Sequence, residues 1–555
     1  MVRATFSGFN TALSALQANQ KRLDITGQNL SNMNTAGYTR QQLEASSLNY
    51  TNPVSHYSNG NETAVGFGVS MDRVSQIRDP YLDIQYRSQS ADCSYTNRLQ
   101  TALNSLSKVL DETTISGIRL AFDDIQSTLT SMQDPAKVSD PIYESELRTK
   151  MQSVCNLFNQ ASRQITQAEQ NEFQRLTGEG SSEQGDVQKI NDILRQIGDL
   201  NVQIKRNQVA GHPSLELQDE RNLLLDELSG YIPVETRYYK DDAHSGNNAY
   251  DYDANGAVIG KKDWPDDLEV SMNYIDAQGK SQKLILVNGS DLGADGLTKN
   301  YGQLSVLNRD HKPAASVSDP ANISIRFEKA PSYQVNGQAA TDVYAELKGI
   351  HFEGGSLQAS LDMLQKKGTG NVINGSVDDV RGYQYYSEKL DQLADTFAKS
   401  MNASNNGNNH KDQNLLSNST DDSTNGITAG NIGISKGWTS GTIHISTDGT
   451  NRTDTILDMI AAMKDTKKLN GKTFADYMNN LSTQLASDSS SNQTALKTGT
   501  TVLNSIQDSR DSLSGVSLDE EATNMMAYVS AYNAASRLMT ALDEVLNTLI
   551  SNTGA

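Results

Sequence analysis

The sequence predicts a mainly α-helical, elongated multidomain protein with an inserted β domain, terminal coiled-coil helices and an antiparallel helical bundle. Three observations predict this class. Apolar residues recur at helical spacing at both chain ends and through 78–228, while alternating β-branched runs are confined to about 234–355. Hydrophobic residues make up only 36% of the 555. That is below the roughly 45–50% of an ordinary globular chain. Together with 40 glycines and many Ser, Asn and Asp residues, it favours elongated elements over one large core.

At the N-terminus Phe9, Leu16, Leu23 and Leu30 recur every seven residues, with Leu13 between them and Gln20 and Gly27 weakening the other seam position. At the C-terminus Met525, Val529, Tyr532, Ala535, Met539, Leu542, Leu546 and Leu549 follow at spacings of three and four. No Pro or Gly interrupts 520–550, which allows a helix of roughly 45 Å. Ser517 is placed to cap that helix, with Glu520 three residues on as a capping-box partner. Asp519, Glu520 and Glu521 also suit the positive end of the helix dipole. An isolated helix of this kind is marginal in water, so each end needs a partner, and the nearest is the opposite end of the same chain. The expected packing seam is Leu13, Leu16, Leu23 and Leu30 with Met525, Val529, Tyr532, Met539, Leu542 and Leu546.

From 78 onward a heptad-like run passes through Leu99, Leu103, Leu106 and Leu110, continues through Ile118, Phe122, Ile125 and Leu129, and ends at Asp134-Pro135. Leu147 to Phe158 and Ile190 to Ile204 mark two further helices, and a short one follows the His212-Pro213 break. Strands are expected at 234–238, 268–274, 283–287, 323–327 and 343–347, punctuated by Asn-Gly pairs at Asn255, Asn288 and Asn336. Helix returns at 357–364 and 383–401, the polar stretch 404–425 reads as a loop, and short strands are expected at 432–434 and 442–445. Helical spacing resumes at Ile456 and continues with breaks to Leu513. The resulting division is 1–75 as an N-terminal coiled-coil assembly segment, 76–233 and 356–513 as the two parts of a helical bundle, 234–355 as the β insert, and 514–555 as the C-terminal coiled-coil helix.

Composition and motifs exclude most chemistry. A formal net charge of −20 keeps monomers soluble and disfavours phosphate backbones, so nucleic acid is not an expected partner. No run of about 18 apolar residues exists to span a membrane, and the first residues are amphipathic, without the apolar core of a cleaved signal. Cys93 and Cys155 are too few for a disulfide framework and read as reduced helix residues, although a single bridge between neighbouring helices is geometrically allowed. Asp251, Asp253 and Asn255 match the first half of a calcium loop, but its twelfth position is Lys262 where a bidentate carboxylate is required, so a polar hairpin turn is expected. The histidines lack metallopeptidase spacing, Gly66-x-Gly68 meets Met71 instead of a third glycine, and neither a phosphate-binding loop nor a nucleophile elbow is present. Neither catalytic, cofactor nor metal residues are assigned.

The segment 27–41, with Asn34, Thr35, Gly37 and Tyr38, resembles the N-terminal signature of the flagellar rod, hook and hook-associated proteins. Its continuation Tyr38-Thr-Arg-Gln is the form associated with the hook-associated branch. The stretch 514–550, with Asp519, Glu520 and Glu521, is similar to the C-terminal signature of the same family. Two interior segments, 217–228 and 390–402, resemble hook-associated members, whereas the β insert matches only in placement.

The resemblance implies a non-enzymatic structural subunit of the hook–filament junction, exported through the flagellar type III apparatus to the cell exterior. It implies a ring of identical subunits, with the hook subunit below, a second hook-associated protein and flagellin above, and an export chaperone before assembly. It also implies terminal helices that order only on assembly. A hook or distal-rod subunit is the alternative within the family, disfavoured by the long helical region 78–228. A secreted surface enzyme or binding module carried by the β insert is the alternative from a different class.

Overall fold

A computed structural model describes residues 7–48, 68–110, 117–138, 140–178, 182–240, 250–252, 258–261, 266–275, 280–289, 299–307, 324–328, 334–335, 338–339, 344–347, 351–373, 376–407, 412–446 and 453–553. The chain opens with α1 (Ser7–Asn32) and a hairpin, β1 (Gln41–Ser47) and β2 (Val69–Gln76). Six helices follow: α2 (Pro80–Leu110), α3 (Ile118–Ser131), α4 (Pro135–Val138), α5 (Pro141–Thr177), α6 (Asp186–Val209) and α7 (Leu215–Tyr231). The first reading of 78–134 as one run is corrected: α2 stops at Leu110 and α3 starts afresh at Ile118, behind Gly117.

Local chemistry sets the helix ends. Asp140 accepts the Ile142 N–H at 2.9 Å and Pro141 takes the first turn of α5, where no backbone donor is needed. Gly178 ends the same helix with φ of +76°.

The β region holds β3 (Glu235–Lys240), β4 (Tyr250–Tyr252), β5 (Val258–Lys261), β6 (Asp266–Ile275), β7 (Ser281–Asn288), β8 (Gln303–Leu307), β9 (Ser324–Glu328), β10 (Gln334–Val335), β11 (Gln338–Ala339), β12 (Tyr344–Leu347) and β13 (His351–Phe352). Every pairing is antiparallel. β6 takes β3 and then β13 along one edge and β7 along the other, while β8, β9 and β12 form a second sheet. The calcium-like positions Asp253, Asn255 and Lys262 and the turn at Asn336 lie outside the described residues.

The remaining elements are α8 (Ser356–Gln365), β14 (Val372–Ile373), β15 (Ser376–Val377), α9 (Tyr383–Asn406), β16 (Leu416–Asn418), β17 (Ile432–Ile434), α10 (Lys436–Ser440), α11 (Asp454–Lys464), α12 (Phe474–Ser514) and α13 (Leu518–Thr553). Two expectations are corrected here. The stretch 404–425 is not all loop, because α9 continues to Asn406 and Leu416–Asn418 pairs with Ile432–Ile434. The stretch 442–445 forms no strand. Asn402 and Asn405 explain the first difference. Asn402 Oδ1 accepts the Leu415 and Leu416 N–H groups at 2.9 Å, and Asn405 Nδ2 donates to the Gln413 carbonyl, so the polar stretch is fastened to α9.

One apolar core runs through the helical body, α2 to α12, and into the sheet around β6. Its centre is aromatic: Phe122 meets Phe397 at 5.1 Å, Phe474 at 5.5 Å and Phe158 at 6.0 Å between ring centroids. Cys155 is buried there and its thiol is pushed up to about 12 by burial, whereas Cys93 is half-buried on α2 with its Sγ 3.4 Å from Thr500 Oγ1. Both cysteines are free.

Glu169 on α5 is a weak point of this core. Burial pushes its carboxyl up to about 7, and its Oε1 has no hydrogen-bond partner. Its folded-state value is raised above the unfolded one of about 4.3. Its contribution is therefore present in full below that value and lost as pH rises through about 7. Glu169→Gln is expected to raise the thermal midpoint at pH 8 and leave it unchanged at pH 4, as read by circular dichroism melts across that range.

Candidate assembly interface

The buried apolar residues of α1 and α13 lie outside the main core, and the two helices pack on each other. They run antiparallel. A Cβ added at Gly8 would meet Leu542 at 3.3 Å, and the Arg22 guanidinium lies over the Tyr528 ring at 5.6 Å. The second face of α1 is covered by the hairpin β1–β2. Ser14 Oγ accepts the Val69 N–H at 3.2 Å, and Gly68, at φ of +114°, leaves no room for a side chain, since a Cβ there would stand 2.2 Å from that oxygen.

This two-sided covering selects the buried residues. On α1 they are Ala12, Ala18, Asn19, Ile25, Thr26 and Asn29, while Leu16, Leu23 and Leu30 are half-buried at the margins. Leu13, expected in the seam, is 45% exposed. On α13 the covered face carries Met525, Tyr532, Ala535, Met539, Leu542 and Leu546, and Val529, also expected there, is 43% exposed. The fully buried positions of α1 are mostly small or polar, and its longer leucines lie at the edge of the seam. A second apolar stripe of α13, comprising Ala527, Ala531, Ala534, Leu538, Ala541, Val545 and Leu549, faces outward and is uncovered.

Where the pair meets the helical body, three sequence signatures converge. The turn after α1 closes with the Thr35 N–H on the Asn32 carbonyl and the Tyr38 N–H on the Thr35 carbonyl, and Gly37 takes φ of +78°. A Cβ at Gly37 would touch the Leu223 side chain of α7 at 3.6 Å. Neighbouring Asn34 makes no further contact that explains its place in the signature. The Tyr38 hydroxyl donates to Asn29 Oδ1 at 2.9 Å, and burial together with Glu216, Asp219 and Glu521 keeps that hydroxyl protonated well above its usual range.

Arg40 then reaches α13. Its Nε donates to Glu521 Oε1 at 2.8 Å and its Nη1 to Glu520 Oε2 at 2.6 Å. The capping box expected at Ser517 is thereby corrected: the Ser517 carbonyl accepts the Glu521 N–H, but the Glu520 carboxylate is turned to Arg40. Asp519 lies in the same first turn. Behind this layer Thr39 donates to Asp219 from both its N–H, at 3.0 Å, and its hydroxyl, at 2.6 Å. Arg78 binds Asp83 at 2.5 Å, and Arg510 of α12 binds Asp83 at 3.1 Å and Asp226 at 2.7 Å, with its guanidinium over Tyr86. Burial pushes the Asp219 carboxyl up to about 6, against the lowering effect of Thr39 and Arg78.

Thr39, Arg40, Asn29, Arg78 and Arg510 were not among the residues picked from sequence. Thr39 and Arg40 stood inside the Tyr38-Thr-Arg-Gln segment that was, and arginines flanking helix ends in so acidic a chain were the available signal. Among the described residues no group of three or more His, Cys, Asp or Glu side chains is placed to hold a metal ion. No described helix is long and apolar enough to cross a membrane.

The chain is similar to known proteins at both ends and through its interior. The model of the flagellar hook-associated protein FlgK helical domain matches residues 103–415. Those of the flagella basal body rod protein and of the flagellar basal body rod FlgEFG protein C-terminal region match 9–39 and 509–552. Flagellar hook-associated protein 1 of Bacillus subtilis is 29% identical over 99% of both chains. Its counterpart from Salmonella typhimurium is 28% identical over 41% of this chain and 38% of its own. The solved structure of the flagellar hook junction protein FlgK from Burkholderia pseudomallei aligns with a TM-score of 0.38 at 19% identity, covering 60% of this chain and 44% of that one.

Proposed function

We propose, for a chain that belongs to the FlgK family of flagellar hook-associated proteins, that the terminal pair α1–α13 is the element by which it is built into the flagellum. The protein is a structural subunit of the hook–filament junction and not an enzyme. The observation that supports the terminal pair is the uncovered stripe Ala527, Ala531, Ala534, Leu538, Ala541, Val545 and Leu549 on α13. An apolar helix face left in water is stabilised by a further partner, and small residues along it allow close approach.

In this reading the partner is the same stripe region of neighbouring copies, arranged as a ring at the outer end of the hook. The hook subunit lies beneath, and a second hook-associated protein and then flagellin are added above. Before export by the flagellar apparatus, the stripe is the surface that an export chaperone would cover, and assembly follows outside the cell.

The test uses a strain lacking the protein, complemented with the parent chain or with Leu538→Asp/Val545→Asp. The parent is expected to restore filaments. The double variant is expected to leave hooks bare and release unpolymerised flagellin into the medium. Filaments of normal number with the variant would overturn the role of the stripe. Filaments in the uncomplemented strain would overturn the junction role.

A further inference from the structure

The segment 217–228 resembles hook-associated proteins in sequence, yet nothing in the apolar core explains its polar residues. Its position does. The contacts around the convergence point sort into three groups. Arg40 with Glu520 and Glu521 lies wholly within the terminal unit. Arg78 with Asp83, and Arg510 with Asp83 and Asp226, lie at or within the helical body. The contacts that cross between the two include Thr39 with Asp219, Gln41 Nε2 with Glu216 Oε1 at 3.3 Å, Gln76 Nε2 with the Leu215 carbonyl at 2.9 Å and, beside the points where the chain itself crosses, the Arg40 N–H with the Ser514 carbonyl at 2.9 Å and Arg78 Nη1 with Thr39 Oγ1 at 3.4 Å. Leu215, Glu216, Asp219 and Leu223 form one face of α7. Of these contacts Thr39 with Asp219 is the shortest and the best shielded, with the Asp219 side chain 8% exposed.

Among the described residues, the buried apolar side chains of α1 and α13 share no cluster with those of the helical body. A cavity of about 820 Å³ separates the two bodies, walled by Tyr38 and Val516 on one side and Leu223 and Gln507 on the other. The chain itself crosses twice, between β2 and α2 and between α12 and α13. Two crossings define an axis about which the terminal pair can turn. A third contact off that axis removes the remaining freedom.

We propose that Thr39 and Asp219 form a clasp that sets the angle of the terminal pair to the helical body, so that Asp219 is a positioning residue for assembly. This rests on the reading of α1–α13 as the assembly element. Copies in one ring must present α13 at a common angle, and a clasp of two hydrogen bonds to a shielded carboxylate fixes it more sharply than an open cavity does. Gly37, at φ of +78°, makes the turn that brings Thr39 to α7.

The experiment uses full-length protein carrying Cys93→Ser, so that the remaining native thiol is the buried Cys155. Asp219→Ala is expected to lower binding to hook tips isolated from the deficient strain by about tenfold or more, at unchanged circular dichroism. Thr39→Cys/Asp219→Cys is then compared oxidised and reduced, with the bridge verified by mass spectrometry. The oxidised form is expected to bind as the parent does, and the reduced form as weakly as Asp219→Ala. Because both states are one polypeptide, a folding failure is separated from a lost clasp. Hydrogen exchange on the same two samples needs no hook. Reduction is expected to lower protection of 38–48 and 215–223, the segments that the clasp joins, and to leave 80–110 unchanged. Equal binding and equal protection in the two redox states, or failure of the bridge to form in the native protein, overturns the clasp. Failure of the parent chain to bind hook tips, with redox-dependent protection intact, overturns the assembly role and leaves the clasp standing.

Discussion

Replacing Arg40 by leucine is expected to detach the start of α13 from the N-terminal segment and to abolish incorporation while the helical body stays folded. The reason is an asymmetry between its two acidic partners. Glu520 is 61% exposed on its side chain, and an ion pair open to solvent is worth at most about 1 kcal/mol. Glu521 is only 3% exposed, and Arg40 is the cation that answers it. Removing one member of a shielded pair leaves the other charge uncompensated, at a cost of roughly 3–5 kcal/mol. The backbone of residue 40 keeps its own bonds, donating to the Ser514 carbonyl and accepting from the Ile77 N–H, so the damage is confined to α13.

Hydrogen exchange should therefore show lost protection in 518–535, with 118–177 unchanged. Arg40→Lys is expected to recover only part of the binding, since an ammonium is a point charge and cannot reach both carboxylates as the guanidinium fork does. Arg40→Leu with Glu521→Leu should recover protection of α13, because deleting both charges also deletes the uncompensated one. A single Arg40→Leu variant that assembles and exchanges like the parent would refute the argument.

The second large effect lies in the body. Phe122 on α3 is fully buried and meets Phe158 of α5, Phe397 of α9 and Phe474 of α12, the first two edge-on. It thus joins the part of the helical body before the β region to the part after it. Phe122→Ala is expected to cost about 3–5 kcal/mol, the sum of lost burial and an unfilled cavity. At about 2.1 cal/mol/K of unfolding entropy per residue, the thermal midpoint of a body this large should fall by roughly 4–8 °C. Phe122→Leu fills most of the space and should cost less. The terminal pair shares no core with these rings, so hook binding measured well below the new midpoint should be retained. The two substitutions thus separate assembly from stability: Arg40→Leu removes the first, and Phe122→Ala weakens the second.

Much of the fold was legible because its signals are local. The run 268–274 alternates strictly and 283–287 is a short apolar run ending in a turn, and β6 and β7 lie there. The long helices carry apolar residues at helical spacing over most of their length. The loop reading of 404–425 failed because its asparagines do not solvate a loop but bind backbone groups of a neighbouring segment, which composition does not reveal. The seam was half legible for a related reason. A reading by apolar spacing picks large side chains, so it selected Leu13 and Val529, yet α1 is covered from two sides and the deepest burial falls on residues such as Ala12, Ala18 and Ala535.

The sequence by itself determined the family, the helical class with its β component, and the absence of catalytic motifs, since each rests on residue types at fixed spacing along the chain. Only the tertiary structure decided that Tyr38-Thr39-Arg40, Asp219 and Glu520-Glu521 occupy one place. These residues are some 180 and 480 positions apart in the chain. Charges so distant in sequence are matched only when packing of the intervening helices brings them within a hydrogen bond's length. No periodicity encodes that distance.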